Sequence, residues 1–106
     1  KGIAVDVISA HGAFEKYDLV IAPMLYMTDA DTIQRITQYI ENGGNFYATY
    51  MLGMVDDTDL CYLGGFPAKN LKDVFGIWNE EIDTLYPRER VSVKGENAIY
   101  EGKDYY

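Results

Sequence analysis

Residues 18–50 read DLVIAPMLYMTDADTIQRITQYIENGGNFYATY, and the order of patterns in this stretch decides the fold. Residues 18–23 form a short apolar run that ends at a proline, which is typical of a buried strand. A helical repeat follows, and residues 45–50 then have the aromatic and threonine content of a strand. A crossover helix makes the strands on either side of it parallel, so the stretch predicts a β-α-β unit.

The helix of this unit has start and stop signals. Thr28 and Asp31 have the spacing of a capping box, so we expect the helix to begin there. Three isoleucines then recur at helical spacing and predict one buried face: Ile33, Ile36 and Ile40. The glycine pair at 43–44 ends the helix, and we expect one of the two in the left-handed conformation that glycine tolerates.

A second apolar run, residues 3–8, is β-branched and predicts another strand buried on both faces. Such strands imply a parallel sheet with helices on both sides, so the predicted fold class is α/β. Both ends of the chain look cut, because the sequence begins inside a strand and three parallel strands make a thin sheet. We therefore expect residues 1–106 to be a single domain, truncated at both ends.

The second half is less regular. Residues 51–65 read as a loop, and residues 70–75 predict a short helix that Gly76 ends. Residues 90–93 alternate like a strand. The sequence then predicts a turn at 95–97 and a strand-like segment at 98–100. Residues 102–106 have the composition of a second turn that enters another strand.

Composition argues against several classes of partner. The chain has 106 residues, with 9 basic against 17 acidic side chains and a net charge of −8. Nucleic acids and anionic membranes are bound by basic surfaces, so neither is expected as a partner. No apolar run approaches the roughly 20 residues of a membrane-spanning helix, and the first residues do not resemble a secretory leader. The single cysteine, Cys61, permits no internal disulfide, so we expect a cytoplasmic protein.

Two acidic groups could carry chemistry, and each has a plainer interpretation. An acidic cluster lies beside Trp78, at Glu80, Glu81 and Asp83. The carboxyls of a glycosidase must flank one bond and usually come from different elements, so a solvated surface is favoured. A second group, Asp56, Asp57 and Asp59, lacks the spacing of a calcium loop and is expected to cap turns.

Cys61 and His11 are the only candidates for a thiol nucleophile and its base. An amidotransferase-type nucleophile would lie on a sharp turn directly after the strand at 45–50. Tyr50 and Met51 stand there instead of Cys or Ser. We expect Cys61 to be a buried structural thiol and His11 a turn residue. The sequence thus predicts no catalytic residue, no metal site and no cofactor.

Tyrosine is unusually frequent, with 10 tyrosines against 4 phenylalanines. A tyrosine offers apolar area with a polar tip and is enriched at protein interfaces. Eight aromatic side chains could belong to the core, an interface or a sugar-binding platform: Tyr26, Tyr39, Tyr47, Tyr50, Tyr62, Phe66, Trp78 and Tyr86. We expect most of them to be half-buried on the core of the domain itself.

Six segments, taken in order, resemble one known family. They are residues 2–9, 17–26, 41–44, 53–60, 63–67 and 75–83. Their arrangement is similar to the middle domain of the β-galactosidases of glycoside hydrolase family 42. The resemblance covers roughly residues 2–87 and includes the missing nucleophile after Tyr50.

The resemblance implies a flavodoxin-like, glutamine-amidotransferase-like three-layer sandwich that serves in trimerisation. In the family this domain follows a catalytic (β/α)8 barrel and precedes a small β domain. The enzymes hydrolyse terminal β-D-galactosides with retention, and none of their catalytic glutamates, which lie on the barrel, maps onto this chain. The implied partners are copies of the same chain in a homotrimer, with β-galactosides bound only through the catalytic domain.

The family domain normally has a strand and a helix before Gly2 and continues past Tyr106. Without that first strand, residues 3–8 would lack a pairing partner and expose apolar surface. We therefore expect the chain alone to be marginally stable or to associate with itself.

Residues 51–67 hold too many apolar side chains for a loop that only contacts solvent. Trimers need an apolar contact surface with a polar rim. We predict an assembly surface at Leu52, Met54, Leu60, Tyr62, Leu63, Phe66 and Trp78. The alternative is that these side chains cover the domain's own sheet. Two other functions stay open: a carbohydrate-binding module that uses Trp78 and tyrosines, and a free-standing α/β enzyme that uses Cys61 and His11.

Overall fold

A computed structural model describes residues 2–93 and 102–105 of the chain. Its helices and strands are, in order, β1 (Leu19–Ala22), α1 (Ala30–Glu41), β2 (Asn45–Ala48), α2 (Leu71–Phe75), β3 (Arg90–Val93) and β4 (Gly102–Tyr105). β1 and β2 form a parallel pair, and β3 and β4 form a separate antiparallel pair. The predicted α/β class with parallel strands is confirmed.

The β-α-β unit is confirmed in its order and its pairing. β1 lies beside β2 with Leu19 opposite Asn45 and Ala22 opposite Ala48. The helix α1 makes the crossover between them. Pro23 follows β1 directly, as predicted, because a proline has no N–H to donate to a neighbouring strand.

The start of α1 differs from the prediction. Asp29 is the N-cap, and its carboxylate accepts a hydrogen bond from the Thr32 amide at 2.7 Å. The capping box expected at Thr28 and Asp31 is therefore wrong. Thr28 is only 1% exposed and lies in the interior, where its carbonyl oxygen accepts a hydrogen bond from the Tyr62 hydroxyl.

The end of α1 is as predicted. Gly43 adopts a left-handed conformation, with φ of 88°. The Gly44 amide donates to the Tyr39 carbonyl oxygen at 2.9 Å, which satisfies one of the carbonyls left free at the helix end. A Cβ at Gly44 would overlap the Tyr39 ring, so the two glycines are needed for different reasons.

The core lies between the two helices and one face of the parallel sheet. Its buried members are Phe14, Ile33, Ile36, Tyr39, Ala68 and Leu71. The Tyr39 ring meets Phe14 edge-on with ring centroids 5.9 Å apart, and Phe46 meets Phe75 in the same way at 5.8 Å. The Tyr39 hydroxyl donates to the Tyr17 carbonyl oxygen at 2.7 Å, so its polar tip is satisfied within the core.

The predicted strand at residues 3–8 is wrong for the described part of the chain. These residues form no strand, and their side chains are exposed. A strand needs a neighbour that pairs with its backbone, and no described segment supplies one to residues 3–8. The parallel sheet accordingly has two strands instead of three.

The outer face of the parallel sheet is also open, although burial on both faces is expected from the sequence. Leu19, Ile21 and Tyr47 on this face are each more than half exposed. Phe46, on the opposite face of β2, packs against the core. Because side chains alternate along a strand, the helices that cover Phe46 leave the other face to solvent.

The second half agrees with the sequence in outline. α2 ends at Gly76, whose φ of 65° is left-handed. β3 matches the strand predicted at 90–93, whereas β4 already occupies the residues at which the sequence predicts a turn that enters a strand. The turn predicted at 95–97 and the segment at 98–100 lie outside the described residues.

Candidate assembly surface

The seven predicted assembly residues differ widely in exposure. Leu63 is 96% exposed and Trp78 62% exposed, and Leu60 is also exposed. We call these three residues the loop patch. Three others are half-buried: Met54, Tyr62 and Phe66. Leu52 is only 5% exposed, so it does not belong to the exposed loop patch.

Asp56 orders the first part of the loop. Its Oδ1 accepts hydrogen bonds from the Thr58 hydroxyl at 2.7 Å, the Thr58 amide at 2.8 Å and the Leu60 amide at 3.1 Å. The hydrogen bond from the Thr58 hydroxyl is the main reason why the pKa of the Asp56 carboxyl lies below its ordinary value. This aspartate caps a turn, as predicted, and the turn fixes the backbone at Leu60.

Val55 and Tyr62 join the loop to the β-α-β unit. The buried Val55 pairs with Met27 on one side and Cys61 on the other through isolated β-bridges. The Tyr62 hydroxyl donates to the Thr28 carbonyl oxygen at 2.6 Å, just before α1. The loop therefore packs against the N-terminal end of α1 and does not extend freely into solvent.

Trp78 is held in place although most of its surface is exposed. Its indole Nε1 donates to the Gly64 carbonyl oxygen at 3.1 Å, and the Lys72 ammonium donates to the same oxygen at 2.7 Å. Gly65 has a left-handed φ of 81°. A Cβ there would overlap the Trp78 indole nitrogen and the Asn79 carbonyl oxygen. Only glycine allows the close approach.

The backbone of Asn79 pairs with the loop in both directions. The Phe66 amide donates to the Asn79 carbonyl oxygen at 2.9 Å, and the Asn79 amide donates to the Phe66 carbonyl oxygen at 2.7 Å. The Trp78 indole is bonded at Gly64, and the Asn79 backbone is bonded at Phe66. The segment at 78–79 thus fixes the turn at both its start and its end. Leu63, directly before that turn, is consequently an exposed side chain on an ordered backbone.

The two candidate catalytic side chains are not brought together. Cys61 is exposed although its bridge partner Val55 is buried, so the prediction of a buried thiol is wrong. His11 is exposed, with its Nδ1 3.7 Å from Asp29 Oδ2. Among the hydrogen bonds and ion pairs of the described residues, none joins His11 to Cys61.

A sharp turn does follow β2, where an amidotransferase nucleophile would lie. Met51 has a φ of 61° and Gly53 a φ of 57°. The residue in the left-handed conformation thus carries a thioether, which has no ionisable proton for nucleophilic catalysis.

The remaining acidic residues belong to the surface. Glu80, Glu81 and Asp83 are exposed, in agreement with the solvated surface expected from the sequence. In residues 2–93 and 102–105, no three His, Cys, Asp or Glu side chains are placed to hold a metal ion. Glu15 is paired with Arg35 at 2.6 Å, and the hydrogen bond from Arg35 is the main cause that lowers the pKa of Glu15.

The expectation that most aromatic side chains are half-buried is wrong. Five of the eight are exposed: Tyr26, Tyr47, Tyr50, Trp78 and Tyr86. Only Tyr39, Tyr62 and Phe66 are covered. For Tyr47 the reason is the open outer face of the sheet, which the sequence pattern does not reveal.

A cleft of about 240 Å³ opens at the carboxyl end of β2. Its apolar walls include Phe46, Tyr50, Leu52, Pro67, Phe75 and Ile77. The described residues that line it carry no charge, and their polar side-chain groups are the hydroxyls of Tyr47, Thr49 and Tyr50 and the amide of Asn79. Such a lining accepts an apolar group but offers no acid and base for hydrolysis.

A comparison with protein families shows to which family the chain belongs. The family model described as the β-galactosidase trimerisation domain matches residues 1–106. The chain belongs to the β-galactosidase trimerisation domain family. A similar curated protein, the β-galactosidase LacA of Lactobacillus acidophilus, is 46% identical over 105 residues, which cover 99% of this chain and 15% of LacA.

Solved structures of such enzymes contain the same fold. The crystal structure of a β-galactosidase from Rahnella sp. R3 matches 98% of this chain and 16% of its own, with a TM-score of 0.82 and 46% identity. Gan42B, a glycoside hydrolase family 42 β-galactosidase from G. stearothermophilus, matches 97% of this chain and 15% of its own, with a TM-score of 0.80 and 48% identity.

The trimerisation domain thus spans about 15% of the length of the curated relatives that it matches. Because the match is confined to this one domain, the chain is a non-catalytic assembly domain. No helix in the described part of this trimerisation domain is long and apolar enough to cross a membrane.

Proposed function

We propose that the polypeptide carrying this chain is a homotrimeric β-galactosidase that hydrolyses terminal β-D-galactosides, and that this domain holds its three copies together. The names of the relatives support the activity, since LacA and Gan42B are β-galactosidases. The catalytic glutamates would lie on a barrel outside this chain.

The observation that carries the assembly role is the loop patch. Leu63 and Trp78 are exposed, yet a hydrogen bond to Gly64 fixes the Trp78 indole, and the Phe66–Asn79 bridge fixes the backbone after the turn that follows Leu63. Exposed apolar side chains that are already ordered lose little conformational freedom when they contact a partner. We propose that Leu60, Leu63 and Trp78 contact another copy, with the half-buried Met54, Tyr62 and Phe66 supporting them from below.

We also propose that residues 1–106 form one flavodoxin-like domain. The apolar residues 3–8 and the open face of β1 and β2 support this, since a further strand beside residues 3–8 and a helix over Leu19, Ile21 and Tyr47 would cover them. Amide hydrogen exchange on the native polypeptide tests this assignment. Protection of the amides at residues 3–8 is expected, and rapid exchange there would contradict it.

A bacterial cytoplasmic location is proposed as well. The relatives LacA and Gan42B come from bacteria. Cys61 is an exposed thiol, and exposed thiols stay reduced in the cytoplasm. The net charge of −8 supports the absence of nucleic acid and anionic lipid among the partners.

A chromogenic β-galactoside and a mass measurement test the proposal together. The native polypeptide is expected to hydrolyse the galactoside and to sediment as three copies. The chain of 106 residues alone is expected to release no chromophore. Hydrolysis by this chain would overturn the assignment, and so would a native polypeptide that sediments as one copy.

A further inference from the structure

We propose that the loop patch of each copy contacts the cleft of the next copy, with Leu63 inserted between Tyr50, Phe75 and Ile77. This inference rests on the proposed homotrimer. Three equivalent copies that close into a ring cannot all touch through one shared patch. Each must present two different surfaces, one that donates and one that receives.

The structure offers two such surfaces on opposite sides of one extended segment. Ile77 and Asn79 line the cleft, whereas Trp78 between them directs its indole nitrogen to Gly64. Successive side chains of an extended segment point to opposite sides. The loop patch and the cleft therefore lie on different sides of this segment, so one copy can contact one neighbour through each surface.

The shapes and charges of the two surfaces also match. Leu63 is almost fully exposed, and the left-handed glycines Gly64 and Gly65 follow it, so no side chain flanks it on that side. The cleft, at about 240 Å³, is large enough for a leucine side chain and is mainly apolar. The domain itself carries a charge of −8, so contact between two copies of the domain is favoured where carboxylates are absent. The described lining of the cleft meets that condition.

Thiol crosslinking in the native polypeptide tests this contact. In a Cys61→Ser background, one preparation carries Leu63→Cys and a second carries Tyr50→Cys, at the exposed rim of the cleft. The two preparations are mixed and allowed to exchange subunits. A short bismaleimide is then expected to link one Leu63→Cys chain to one Tyr50→Cys chain, which a denaturing gel shows as a band of twice the chain mass. The double variant is expected to give covalent trimers. Gln34→Cys, exposed on α1, replaces Leu63→Cys in the matched control and is expected to leave single chains.

The outcomes separate this contact from the proposed function. A native polypeptide that sediments as a trimer but gives no crosslink above the Gln34→Cys control overturns the contact and leaves the trimer standing. Crosslinking of Leu63→Cys with itself would show a symmetric contact and would also overturn it. A polypeptide that sediments as a monomer overturns the proposed function itself.

Discussion

The indole Nε1 of Trp78 donates a hydrogen bond to the carbonyl oxygen of Gly64 at 3.1 Å, across 14 positions of the sequence. This contact links the end of the 51–67 loop to the segment after α2. It gives an exposed tryptophan a fixed orientation, and it depends on the close approach that Gly65 permits. The arrangement of the loop patch therefore depends on a glycine that touches no partner itself.

Replacing Gly65 with alanine is expected to destabilise the chain more than replacing Gly43. Both residues have a left-handed φ, and an alanine there costs about 1–2 kcal/mol from backbone strain. At Gly65 the new Cβ also overlaps Trp78 and Asn79, which adds about 1–3 kcal/mol, whereas at Gly43 it meets open space. Urea unfolding of the two variants measures the difference. Equal losses would show that the Trp78 contact does not constrain this turn.

Removal of the N-cap is expected to weaken α1. Asp29→Ala loses the hydrogen bond to the Thr32 amide and is expected to cost about 1 kcal/mol of unfolding free energy. Asp31→Ala is the matched control, because Asp31 lies on the exposed first turn and only reaches Arg35 at 4.0 Å. Its loss is expected to stay below about 0.5 kcal/mol. The melting temperatures of the two variants check this. A larger decrease for Asp31→Ala than for Asp29→Ala would support a helix start at Thr28 and Asp31 instead.

The charge of Asp29 should make this stabilisation depend on pH. The hydrogen bond with Thr32 is the largest cause that lowers the pKa of Asp29 below its ordinary 3.8. Because the unfolded state then binds the proton more tightly, the stabilisation is fully present above about pH 5 and is lost as pH falls below 3.8 through the folded value. Asp29→Asn keeps a capping oxygen but has no charge. The wild-type advantage over Asp29→Asn in melting temperature should vanish at low pH, and an advantage that grows on acidification would contradict this sign.

The exposed aromatic residues also permit a test of the carbohydrate-binding alternative. A sugar that stacked on Trp78 would change the fluorescence of the only tryptophan in the chain. A titration with galactose is expected to leave that fluorescence unchanged, because Trp78 has no coplanar aromatic partner among the ring contacts of the described residues. A saturable change that Trp78→Phe abolishes would favour the carbohydrate-binding module.

Local signals were sufficient to predict the β-α-β unit. The isoleucine spacing, Pro23 and the glycine pair at 43–44 act on neighbouring residues, so their effect is visible in the sequence alone. The N-cap was harder, because Thr28 with Asp31 and Asp29 with Thr32 have the same spacing. Thr28 is buried, which leaves Asp29 as the cap. The burial of Thr28 depends on the 51–67 loop, whose Tyr62 hydroxyl donates to the Thr28 carbonyl oxygen.

Exposure was the part that the sequence could not supply. Residues 3–8 have the composition of a buried strand, but a strand forms only where another segment pairs with it. Cys61 lies in an apolar stretch, yet its side chain is exposed although its bridge partner Val55 is buried. Leu52 and Leu63 look alike in the sequence, yet the packing of the chain buries Leu52 and leaves Leu63 exposed.

Sedimentation equilibrium of the native polypeptide, with and without charged substitutions in the loop patch, tests the central claim most directly. The wild type is expected to have the mass of three chains, and Leu63→Asp combined with Trp78→Asp is expected to have the mass of one. Leu63→Asp alone should keep the wild-type circular dichroism spectrum, because its side chain is exposed on the single copy and supports no internal packing. A double variant that remains a trimer would contradict the assignment of these residues as the surface through which the domain assembles.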